Sequence, residues 1–132
     1  MTPDIAPLEE RHCLRLLAGA PVGRVVYTVG ALPAVLPTRY RLDDDGSVLL
    51  RAAAGSEFLR AVAGALVAFQ ADEISAADGS GWSVTVLGTA EAGGEGSAAD
   101  PIAPALDGQV TIRIRPEWVT GCLLPAALAP QP

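Results

Sequence analysis

Ser47-Val48-Leu49-Leu50-Arg51-Ala52-Ala53-Ala54-Gly55-Ser56-Glu57 reads as a β-strand that runs through a small-residue turn into a helix. Strand, tight turn and helix start together aim several backbone N–H donors at one point, a shape suited to an anion, most often a phosphate. Arg51 adds a forked cationic donor, and Ser56 adds a hydroxyl that also serves as an N-cap. The next residue, Glu57, is an acid where a phosphate site would want a base. Shape and charge therefore point in opposite directions.

Upstream, Pro7 sits where a helix favours its first residue, and Glu9 and Glu10 suit the first turn, so a helix is predicted over residues 8–18, ending at Gly19. Leu14 and Leu17, flanked by Cys13 and Leu16, give it one apolar stripe. The β-branched run 22–29 predicts a strand, and Gly30-Ala31 a turn into a second strand over 32–42. Pro33 and Pro37 cannot donate ladder hydrogen bonds, which marks that strand as an edge or a bulge. Asp43-Asp44-Asp45-Gly46 is a hairpin turn into the strand 47–52.

Downstream, a helix is expected over 56–63, stopped by Gly64, followed by strands over 66–70, 82–90 and 110–115. Residues 92–108, rich in Gly, Ala and Pro, read as a mobile loop with a helical turn near Ala103. The Pro/Ala-rich tail is expected to be disordered, leaving one domain over 1–124 and a tail over 125–132. The sum is a mainly β fold with short flanking helices. Its six antiparallel strands would most economically close into a small barrel.

Composition narrows the chemistry. A net charge of −6 and an isoelectric point near 4.6 argue against nucleic acid and anionic membrane as partners. All nine cations are arginines, so a Schiff-base mechanism, and with it covalently held pyridoxal phosphate, is excluded. Any anionic ligand must be held by guanidinium groups, backbone amides or hydroxyls. No run is long enough to span a bilayer and no charged-then-apolar signal opens the chain, so a cytoplasmic setting is expected. In that reducing compartment Cys13 and Cys122 are expected to be buried thiols, not a disulfide. His12, the one histidine, neighbours Cys13, but adjacent helix positions diverge and imply no Cys–His pair. No metal-ligand cluster is visible, and the Asp43 to Asp45 run lacks the alternation of a calcium loop. No catalytic residue is assigned.

Taken in order, Cys13-Leu14-Arg15-Leu16-Leu17, Pro21-Val22-Gly23-Arg24-Val25, Leu32-Pro33-Ala34-Val35-Leu36-Pro37 and Tyr40-Arg41-Leu42-Asp43 form a recognisable set. It continues through Asp45-Gly46-Ser47-Val48, Arg51, Gly55-Ser56, Val67-Ala68-Phe69, Asp72-Glu73-Ile74 and Ser80-Gly81-Trp82-Ser83-Val84. This ordered set resembles the FMN-binding split-barrel superfamily, specifically the pyridoxamine 5′-phosphate oxidase-like group common in actinobacteria. The resemblance implies a homodimer holding FMN in a groove between two barrels. It places the flavin phosphate near Arg51, Ala52, Gly55 and Ser56, and the ring along Leu36, Pro37, Thr38 and Arg39. Some relatives use a deazaflavin or haem instead.

Trp82 could stack on a planar ligand or fill a dimer interface. By period two it shares a face with Val84 and Val86, which a second copy is expected to cover.

The chain departs from the family pattern at Ala52 (commonly Thr), Glu57 (commonly basic), Arg39 (commonly Asn), and Leu87 and Thr89 (commonly Arg). One cation about 4 Å from a phosphate is worth on the order of 4 kcal/mol at an effective dielectric near 20, so reversing its sign matters. Two readings follow. One is a flavin-dependent oxidoreductase or flavin-binding redox protein acting on a small molecule. The other is a split barrel that has lost FMN and binds another small molecule or acts without a cofactor.

Overall fold

The structure, a computed structural model, describes residues 6–93 and 108–127. In chain order its elements are β1 (Ala6–Pro7), α1 (Glu10–Gly19), β2 (Val22–Val29), β3 (Leu32–Arg39), β4 (Arg41–Leu42), β5 (Val48–Ala53), α2 (Glu57–Val62), β6 (Leu66–Ile74), β7 (Gly81–Ala92) and β8 (Gln109–Leu124). The expected helical turn near Ala103, most of the expected loop and the tail beyond Ala127 lie outside the described residues.

One antiparallel sheet runs β3-β2-β6-β7-β8-β5-β4, with β1 attached to β8. Its two edges, β3 and β4, are consecutive in the chain and separated by Tyr40 alone. The sheet must therefore curl until its edges meet at that residue, while no ladder joins β3 to β4 among the described residues. This is a split barrel, open along one seam.

The expectation of six strands is corrected to a path of seven with β1 beside it. The run 32–42 breaks because Tyr40 turns inward and is buried, so the chain on either side of it pairs with different partners. Pro7 does not start the helix; it lies opposite Cys122 in the β1–β8 pair, and α1 begins three residues later. The edge role read from Pro33 and Pro37 holds. Both occupy β3, which pairs only with β2, so their missing N–H groups leave the ladder intact.

The interior follows from period two. Val25, Val48, Leu50, Phe69, Val84, Val86, Ile112 and Ile114 point inward and are buried. Helix α1 closes one end with Cys13 and Leu17, and α2 closes the other with Val62. The ends are set along β7: Gly121, against which Cys13 packs, lies opposite Val84, whereas Ala65, just past α2, bonds with Ala90.

Both cysteines are free thiols. Any Cβ at Gly121 would lie 2.5 Å from the Cys13 sulfur, so the face of residue 121 belongs to Cys13 and Cys122 points the opposite way. Burial pushes the Cys13 thiol above its usual range.

Candidate functional site

Strand β5 delivers Arg51 and Ala52 to the α2 end of the barrel. Ala52 lies opposite Val110 with its methyl in the core, and Arg51 lies opposite Thr111, half-buried, with its Nε and Nη1 shut away from water. The chain then turns sharply. The Ala54 N–H donates to the Gly108 carbonyl at 2.6 Å, and the Ser56 N–H donates to the Ala53 carbonyl at 3.1 Å. Gly55 sits between them at φ +75°, a left-handed conformation that glycine adopts without strain.

Ser56 is the N-cap of α2, its Oγ accepting from the Leu59 N–H at 3.1 Å. That bond leaves the hydroxyl proton available to a ligand. Glu57 is exposed in the first turn of α2, where a negative charge suits the helix dipole. The acid therefore has a structural reason to be there, and its charge projects into water.

Sequence reasoning missed Arg60. Its Nη1 reaches back to donate to the Gly55 carbonyl at 3.0 Å, so a guanidinium lies on the turn itself. The signal was present in the chain: residue 60 lies one helical turn beyond Ser56 and Glu57, on the same side of α2. The turn thus carries the guanidinium of Arg60 and the hydroxyl of Ser56, while Arg51 lies on β5 four residues before Gly55. This donor set fits an anionic group, with Glu57 as a solvent-screened opponent.

The remaining expected site residues do not all join this cluster within one chain. On β3, Leu36 and Thr38 are half-buried on the side of the sheet that faces the interior, while Pro37 and Arg39 are exposed on the outside. Tyr27, opposite Ala34 of β3, meets Phe58 of α2 edge-on with ring centroids 5.0 Å apart. Helix α2 therefore sits at the Ala34 end of β3. Arg39 lies five residues further along, roughly 17 Å away at about 3.3 Å per residue. It is too distant to offset Glu57 in the same chain.

Trp82 lies near the start of β7, opposite Glu73 and Leu123, half-buried against the core at the α1 end. Val84 and Val86, which share its face, are completely buried inside the barrel. The expectation that a second copy covers this face is overturned, because the face is the interior of the barrel. The opposite face of β7 is the one open to solvent.

The arginines of β8 are both held by acids. Arg113 bonds Asp43 at 2.7 Å and reaches Asp45 at 3.5 Å, and Arg115 meets Glu91 at 3.3 Å. No described helix is long and apolar enough to cross a membrane.

Comparison with known proteins matches this geometry to relatives. A 92-residue stretch is 38% identical to the uncharacterised protein Rv0080 of Mycobacterium tuberculosis, covering 66% of this chain and 60% of that protein's length. The structure of an FAD-binding protein from Mycobacterium smegmatis is similar at a TM-score of 0.76 and 28% identity, over 89% of this chain and 96% of that one. An FAD-binding protein from Mesorhizobium loti shares the fold at a TM-score of 0.71 and 22% identity, over 92% of this chain and 99% of that one. Residues 9–122, which hold both helices and all but the outermost ends of the sheet, match the pyridoxamine 5′-phosphate oxidase family, and the chain belongs to it.

Proposed function

We propose that this protein binds a flavin nucleotide and acts as a redox protein on a small molecule. The observation that carries this reading is the likeness to the Mycobacterium smegmatis protein, whose description names FAD binding and whose chain is matched over 96% of its length. FMN is the flavin that the family resemblance implies. The turn supports an anionic cofactor, with Arg51, Arg60 and the Ser56 hydroxyl as the groups that would hold its phosphate. A bound flavin would supply the two-electron chemistry; the protein's part is to bind and orient it and to limit its contact with water.

A second reading, a barrel that has lost its flavin, is favoured by Ala52 and Glu57. Ala52 supplies no hydroxyl where the family commonly has threonine, and Glu57 places a negative charge beside the turn.

Titration of the purified protein with FMN and, separately, with FAD decides between the readings. Stoichiometric quenching of flavin fluorescence by one of them is expected, and protein purified without added flavin should be yellow. Colourless protein that leaves both fluorescence signals unchanged at high micromolar concentration would establish the second reading. Within the first, Glu57→Lys should tighten binding at least tenfold, less so in high salt, since tenfold is about 1.4 kcal/mol and the gain is electrostatic. Arg60→Ala should weaken it by about tenfold. If neither substitution moves the affinity, the phosphate lies elsewhere.

A further inference from the structure

We propose that one side of α1 holds a binding site for a small dianion with an apolar body, gripped by Arg11 and Arg15. These two residues and Leu14 line a cavity of about 470 Å³. That volume falls within the ~300–1,000 Å³ of small-molecule sites. Spaced i, i+3 and i+4, the three share one side of the helix, while Cys13 and Leu17 on the other side enter the core.

Neither arginine meets an acid among the described residues. The chain holds fifteen acidic side chains against nine arginines, and Arg24, Arg113 and Arg115 each find one. Within α1 no carboxylate stands three or four residues from Arg11 or Arg15. Across from α1, the Leu14 methyls lie 3.7 and 3.8 Å from the point a Cβ would occupy at Gly46, so the Asp43–Gly46 turn rests against the helix. Its carboxylates are engaged elsewhere or open to water: Arg113 takes up Asp43 and Asp45, and Asp44 is exposed.

Both arginines also stand where helix electrostatics disfavours them. Arg11 is in the first turn, at the positive end of the helix dipole, and the two like charges are i, i+4 neighbours. An anion held between them relieves both effects.

The lining selects the ligand. Cβ atoms at i and i+4 lie about 5–6 Å apart, so two guanidinium forks reach one group. Each fork matches a carboxylate or phosphate through two parallel hydrogen bonds. Two cations call for two negative charges, as on a phosphate monoester or a pair of adjacent carboxylates. Half-buried Leu14 gives the rest of the ligand an apolar surface. The site is separate from the turn that carries Ser56 and Arg60, because α1 and α2 close opposite ends of the barrel. It goes beyond flavin binding and does not rest on it.

Calorimetric titration of the unmodified chain with phenyl phosphate and with phthalate tests the site, with benzoate as the singly charged control. At least one dianion should bind, the tighter of the two naming the anionic group, and benzoate should bind about tenfold or more weakly. Arg11→Gln and Arg15→Gln should each weaken the dianion about tenfold, and Arg15→Lys, which keeps the charge but loses the fork, by less. Neither arginine is paired in the fold, so both glutamine variants should keep the urea midpoint of the unmodified chain. Lost binding is then not lost folding. Arg24→Gln removes the same charge on β2 and should leave the affinity unchanged. Arg60→Ala reports on the turn at the other end of the barrel: binding that it weakens belongs there, and binding at α1 should persist in it. No saturable binding of either dianion below about 10 mM would overturn the proposal. So would benzoate binding as tight as theirs, folded Arg11 and Arg15 variants that bind like the unmodified chain, or dianion binding that falls in Arg60→Ala instead.

Discussion

Arg113 concentrates the electrostatics of one end of the molecule. Its guanidinium ties the Asp43–Gly46 turn to β8, and the hydrogen bond it gives Asp43 is the main reason that carboxyl is held below its usual range. Asp45 is lowered as well, chiefly by the Ser47 N–H, with a smaller contribution from Arg113. A carboxyl whose folded value lies below its unfolded value stabilises the fold above about pH 4. It loses that contribution as pH falls through the folded value. Arg113→Met should therefore lower the urea midpoint at pH 7, and its curve should converge with that of the unmodified chain as pH drops from 5 to about 2. Curves that stay parallel through this range would show that the pair adds no pH-dependent stability. The same residue-scale view explains the turn after β5. The acid at position 57 was legible in the sequence, but a strand–turn–helix pattern does not show which later side chain folds back, so Arg60 came only from the structure.

At the level of elements, alternation was a dependable guide until something interrupted it. Strands β2, β5 and β7 fall close to where their patterns put them, and Ser56 caps α2 as its residue type suggests. The alternation predicts a last strand ending at Arg115, yet β8 continues to Leu124. Pro116 and the extra residue Glu117 break the period there, so the sequence after them reads as out of phase. Gly88 makes this irregularity possible. A Cβ at that position would lie 1.8 Å from the Arg115 carbonyl oxygen and 3.3 Å from a methyl of Ile114. Gly88→Ala should cost about 2–3 kcal/mol, since the obstruction is backbone and cannot rotate aside. The check is equilibrium urea unfolding. A loss under about 0.5 kcal/mol would mean that β7 and β8 can slide apart at the bulge without penalty.

For the whole molecule, what the sequence conveyed was class and order: mainly β, antiparallel, barrel-forming, with a helix at the start and another after the third long strand. What it could not convey was where the sheet splits. A single long edge strand over 32–42 and a long edge joined to a two-residue one through a buried tyrosine have nearly the same local pattern, and only the pairing partners distinguish them. For the same reason the apolar sets on the two faces of β7 could not be ranked as inner or outer from alternation alone. Tyr40 is thus the residue on which closure depends. Its hydroxyl donates to the Leu17 carbonyl at the end of α1, and its ring packs edge-on against Phe69 with centroids 4.6 Å apart. Tyr40→Phe keeps the ring contact and should cost about 1 kcal/mol, whereas Tyr40→Ala empties the seam and should cost about 3–5 kcal/mol. Burial, with a smaller push from Glu73, raises the Tyr40 hydroxyl above its ordinary value. The neutral form is therefore favoured in the fold, and stability should fall as pH rises past about 10, where the unfolded tyrosine ionises. Tyr40→Phe should remove that alkaline loss. Hydrogen exchange should separate seam from core, with Tyr40→Ala accelerating the amides of β3 and β4 while those of β7 follow only global unfolding. Uniform acceleration across the sheet would mean that the barrel opens as one unit and that Tyr40 is an ordinary core residue.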